Sequence, residues 1–189
     1  RDSKNEEKVT LDAMCDLAMV HYAKGDVKKK KISEGMQTLN AVGDALANIT
    51  FTKGLQDSFT EVEGYKKAET LLQFVVNKRK LKPGPDALET IITVHNLAKV
   101  YTEQGAHDSK IYKKASTNLT ECVQKYTNLY GEGHPVTLNC VNDLALLYFK
   151  SGDYEKAEQY FDQCLEQREI KLGEAHPDTL KAKNNLAML

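Results

Sequence analysis

Residues 131–172 read GEGHPVTLNCVNDLALLYFKSGDYEKAEQYFDQCLEQREIKL, and residues 173–189, GEAHPDTLKAKNNLAML, begin the same text again. Gly131, His134, Pro135, Thr137, Leu138, Leu144 and Ala145 recur as Gly173, His176, Pro177, Thr179, Leu180, Leu186 and Ala187, each pair 42 residues apart. A fixed period of about 20 to 50 residues marks an array of stacked supersecondary units, none of which can bury its apolar face alone. What the chain does is therefore bounded by what such an array can do.

Within one unit, Val141, Leu144, Ala145 and Tyr148 fall at i, i+3, i+4 and i+7, one face of a helix. Ser151-Gly152-Asp153 interrupts it, with Gly152 placed for a left-handed stop. Tyr154, Ala157, Phe161, Cys164 and Leu165 give a second apolar face. Gly173 closes that helix, and Pro177 suits the first position of the next. The unit is helix, tight turn, helix. Ala145 and Ala157 are small where the helices must cross closely, and Leu144, Tyr148 and Phe161 fill the space around them.

This pattern resembles the tetratricopeptide repeat (TPR). The 42-residue period, the G-E-x-H-P linker and the N-N-L-A run at Asn184 to Ala187 look like the longer repeats of the kinesin light chain type. The resemblance implies an all-α, right-handed superhelical solenoid of antiparallel helix hairpins.

A polar segment, residues 1–8, precedes a single solenoid at 9–189, whose repeats span about 9–47, 48–82, 85–130 and 134–172, with a partial fifth at 177–189. Thr10 to Asp26 aligns without a gap on Thr137 to Asp153. The lysine run after Val27 lengthens the turn, and a second helix is expected from Ile32. The second repeat is the most degenerate: Leu55 and Phe59 mark its first helix, Gly54 weakens it, and Gly64 to Glu69 matches Asp153 to Glu158. The third repeat carries Asn96 to Tyr101 on its first helix, an insertion at residues 106–110, and a second helix resuming at Ile111. The chain begins at Arg1 without Met and ends at Leu189 inside a repeat, so it is expected to be a processed or truncated piece.

Composition excludes several classes. Lys+Arg 26 against Asp+Glu 27 gives no general attraction for nucleic acid or an anionic membrane. No apolar run approaches the ~18 residues needed to cross a bilayer. The four cysteines form no C-x-x-C pair, and no His or Cys has metal-ligand spacing, so neither a metal nor a cofactor is expected. There is no glycine-rich phosphate loop, nucleophile elbow or carboxylate dyad, and no enzymatic activity is expected. The cysteine usage fits a reducing intracellular compartment, the cytoplasm, with an organelle reached after loss of a transit peptide as the alternative.

By resemblance, the first helix of each repeat lines the concave groove. Its facing positions are Asp12, Asp16 and Tyr22 in the first repeat, His95, Asn96 and Lys99 in the third, Asn139, Asn142, Asp143 and Phe149 in the fourth, and Lys181 and Asn185 in the fifth. Asn96 and Asn185 stand at the position where an amide can hold a peptide backbone through donor and acceptor together. Asp16 and Asp143 stand there in other repeats, which disfavours a carboxylate ligand and favours a neutral or basic peptide. The expected function is a protein-interaction adaptor or scaffold binding a peptide or partner helix. The alternative is a permanent structural or assembly subunit of a larger complex.

Overall fold

Caps set the helix boundaries. The computed structural model describes residues 2–26, 61–105 and 108–189, and among them every regular element is a helix. These are α1 (Asp2–Asp26), α2 (Glu61–Leu81), α3 (Leu88–Gly105), α4 (Ser109–Tyr130), α5 (Pro135–Ser151), α6 (Tyr154–Leu172) and α7 (Pro177–Leu186). Asp108 caps α4 by accepting from the amides of Lys110 and Ile111, which holds its carboxyl below the usual range. Gly152 ends α5 in the left-handed region at φ 84°, its N–H returning to the carbonyls of Tyr148 and Phe149. His134 and His176 cap α5 and α7: each Nδ1 accepts from the amide two residues on, at 3.2 and 3.1 Å. The repeated linker histidines are thus cap residues, each followed by a proline at the helix start.

The chain divides into two compact units, Arg1–Pro83 and Gly84–Leu189. In the first, α1 packs directly on α2. Among its described residues, Met14, Ala18, Tyr65, Ala68, Leu72, Val75 and Val76 are the buried apolar ones, with both alanines fully buried. Tyr22 and Tyr65 lie with ring centroids 5.9 Å apart. At the other end, the buried Arg79 guanidinium pairs with the Asp12 carboxylate and reaches Cys15 Sγ at 3.6 Å. The helix expected from Ile32 and the one expected around Leu55 and Phe59 lie outside the described residues.

In the second unit each helix packs on the next, and α3 also packs on α5. Ala145, Ala157 and Phe161 form one buried cluster, covered by Tyr148, Phe149, Tyr160 and Leu186. Leu138, Val141 and Cys164 form another, covered by Val123 and Tyr160. Complete burial of a side chain such as Phe161 contributes roughly 1.5–3 kcal/mol. The small residues expected at the crossings, Ala98 and Ala115 as well as Ala145 and Ala157, all have no exposed surface. Tyr154 differs: the sequence pattern places it on the apolar face, but at the first turn of α6 it is exposed, its ring T-shaped to that of Phe149 with centroids 5.8 Å apart.

The cysteines are packing residues. Cys122 Sγ donates to Ile91 O at 3.6 Å, and Cys164 Sγ to Leu138 O at 3.3 Å, so equivalent thiols close equivalent hairpins. Burial pushes the Cys164 thiol up to about 12. The Cys140 thiol is also raised, first by its hydrogen bond with Cys122 and then by burial. Two further contacts repeat. Lys114 lies 5.3 Å from the Tyr101 ring and Lys156 5.3 Å from the Tyr148 ring. Thr90 Oγ1 donates to Gly84 O at 2.7 Å and Thr137 Oγ1 to Gly131 O at 2.9 Å, each tying a helix start to the linker before it.

Candidate partner-binding face

The positions beside the hairpin-packing stripe of α3 and α5 fall on one face, and the packing of α3 on α5 joins them. His95 Nε2 and Asp143 Oδ2 hydrogen-bond at 3.0 Å, and Lys99 Nζ stands 4.0 Å from the same oxygen. One turn further on, Lys150 pairs with Glu103. His95 also meets the Tyr126 ring edge-on, centroids 5.7 Å apart. From α7, Asn185 Nδ2 donates to Asn142 Oδ1 at 2.7 Å, with both residues buried. A ladder of side-chain bonds therefore runs between the first helices of successive hairpins.

This ladder changes the meaning of several predicted positions. Asn142 and Asn185 are only 5% and 9% exposed. The Asn185 amide donates to Asn142, so one of its N–H groups is engaged within the ladder. Asp143 is hydrogen-bonded to His95 and lies 4.0 Å from the Lys99 ammonium, so it does not stand as a bare charge. Asn139 stays exposed but accepts from Arg168 Nη2 at 2.9 Å. Asn96, Lys99 and Phe149 are half-buried, and Lys181 is exposed. In the first unit, Asp12 pairs with Arg79, Asp16 is exposed, and Tyr22 is half-buried against Tyr65.

Two arginines escaped the reading of the sequence. Arg168 is buried, and its Nη1 also donates to Asp178 O at 3.2 Å, joining α6 to the start of α7. Arg79 plays the matching part in the first unit. The signal was present: each stands 11 residues after the crossing alanine, Ala68 or Ala157. Among the described residues, no group of three or more His, Cys, Asp and Glu side chains is placed to hold a metal ion. No described helix is long and apolar enough to cross a membrane.

Hairpins built on paired alanines, joined by capped linkers and laddered along their first helices, define an α-helical repeat scaffold. Residues 112–170 and 141–189 match the family profile of the tetratricopeptide repeat. A solved structure of a Podospora anserina protein described as a kinesin light chain with nearly identical TPR-like repeats is similar in fold. It gives a TM-score of 0.59 at 19% identity, covering 94% of this chain and 84% of that one. No curated protein matches the chain in sequence. Tetratricopeptide repeats are in general protein–protein interaction modules.

Proposed function

We propose that this chain is a non-catalytic adaptor whose α3–α5 face receives an extended peptide or a partner helix. The observation that carries the reading is the internal neutralisation of that face. Asp143 is hydrogen-bonded by His95 and paired with Lys99, and Glu103 is paired with Lys150, while Asn96, Lys99 and Phe149 stay partly accessible and Ile92 is 43% exposed. Charges tied to one another hold a surface rigid without selecting strongly for either sign. Accessible apolar atoms beside an amide then offer a side-chain anchor and a backbone contact. The pairing of Asp143 removes part of the preference for basic peptides read from the sequence, and a peptide of low net charge fits best. The buried thiols fit a reducing compartment.

The test is selection of peptides from a displayed library on the full chain, followed by titration against variants. Asn96→Ala and Ile92→Asp should each weaken the selected peptide at least tenfold with helicity unchanged. Full affinity in both variants would rule out this face. A second reading, permanent assembly into a complex, is favoured by the exposure of Leu180, Met188 and Leu189 in and after α7. It predicts a stoichiometric complex that survives high salt when the chain is isolated from native extract, and a salt-sensitive set of partners would exclude it.

A further inference from the structure

We infer that α1 and α2 are the two helices of a single repeat, and that the chain between them is an insertion in its turn. The inference replaces the two repeats expected over 9–47 and 48–82, and it is independent of the partner-binding reading. Three contacts at three heights along the hairpin carry it.

At the turn end, Tyr22 and Tyr65 meet at 5.9 Å, where Phe149 and Tyr154 meet at 5.8 Å in the α5–α6 hairpin. Tyr22 is the register equivalent of Phe149 on the first helix, and Tyr65 that of Tyr154 on the second. At mid-height, Ala18 and Ala68 are fully buried, as Ala145 and Ala157 are. At the open end, Arg79 reaches back to Asp12 as Arg168 reaches back to Asn139. Along α1 every one of these positions is offset by the same 127 residues from α5, and along α2 by the same 89 residues from α6. A second helix belonging to a different repeat would have no reason to reproduce all three contacts in register.

The sequence on either side closes the argument. The α5–α6 turn reads Lys150-Ser151-Gly152-Asp153-Tyr154-Glu155-Lys156-Ala157. The segment Lys24-Gly25-Asp26 ends α1, and Tyr65-Lys66-Lys67-Ala68 lies near the start of α2. Joining Asp26 directly to Tyr65 regenerates Gly-Asp-Tyr-x-Lys-Ala. The turn motif is intact on the two sides of the intervening residues, split between Asp and Tyr. The α3–α4 hairpin shows a milder form of the same event. Its turn is also longer than Gly152-Asp153, and α4 takes up part of the excess by starting at Ser109, three residues ahead of Tyr112, the equivalent of Tyr154.

The test excises residues 27–64 from the full chain, joining Asp26 to Tyr65. The excised protein should unfold as cooperatively as the parent, with an equal or higher Tm, because fewer residues between two packed helices cost less entropy to close. The Asp12→Ala and Arg79→Ala effects should remain non-additive in it. A second form keeps every residue and carries a specific protease site inserted after Gly43. After cleavage the two pieces should co-elute on gel filtration and unfold with the parent's transition. Retention of both pieces supports the inference even if the excised junction proves too tight to fold. Separation of the cut pieces, or loss of the Asp12–Arg79 coupling in a folded excised chain, overturns it.

Discussion

The Asn142–Asn185 bond separates a structural amide from a ligand-binding one, because the two roles give opposite results under truncation. Both side chains are buried and bonded at 2.7 Å. Replacing either by Ala leaves the other amide unpaired in a site closed to water, which costs about 1–3 kcal/mol. For a unit of roughly 100 residues, 1 kcal/mol moves Tm by about 4–8 °C. Either single variant should therefore lower the transition followed by circular dichroism by several degrees. The double variant removes both polar groups, so its cost should fall short of the sum of the singles by about 1 kcal/mol or more. Partner affinity, measured well below the transition, should stay at the parent value in Asn185→Ala. Additive singles, or singles costing under about 0.3 kcal/mol, would refute the buried bond. Loss of partner binding without loss of stability would return Asn185 to the ligand.

Three other perturbations test the scaffold. Ala157→Leu forces a branched side chain into the Ala145–Phe161 crossing and should destabilise by about 1–3 kcal/mol, visible as a lower urea midpoint. Gly152→Ala should cost about 1–2 kcal/mol from backbone conformation alone, since a Cβ there meets nothing within 4 Å; a loss well beyond that would point to an unseen clash. The Cys164 thiol is held up to about 12 in the folded chain against an ordinary value of 9.0. Above pH ~9 the unfolded state alone releases this proton, so stability should be complete below that pH and fall on the way to 12, by up to about 1.4 kcal/mol per pH unit for this group. Cys164→Ala should flatten that part of the pH profile, and an unchanged slope would show the thiol is not the cause.

Much of the fold was legible because repetition is a stronger signal than propensity. The 42-residue period placed the α5–α6 hairpin, its Gly152 stop and its crossing alanines, and all three are where periodicity and cap chemistry put them. The linker histidines were legible as structural but not as caps, since nothing in one sequence says which nitrogen meets which amide. The start of α4 at Ser109 was missed because Asp108 reads as loop until its bonds to Lys110 and Ile111 are seen. The face residues were harder. Register predicted which side of α3 and α5 they occupy but not that His95, Lys99 and Asp143 would face one another. That depends on the offset between neighbouring hairpins, which no local pattern records. Arg79 and Arg168 were missed for a related reason: an arginine late in a helix reads as a solvated charge, and only its reach back to the first helix shows otherwise.

The paired threonine bonds at Thr90 and Thr137 have a consequence for how such a chain can diverge. Each ties the first turn of a helix to the carbonyl of a linker glycine, so the chain's entry into α3 and into α5 is held in the same way. Exposed positions such as Ile92 on α3 and Val136 on α5 take no part in either bond. Drift at such positions can rewrite what the face recognises while both helix starts stay held, and a change at either threonine would loosen a helix start with every exposed residue still in place. Exposed contact residues and the bonds that hold the helix starts are thus inherited through separate sets of residues.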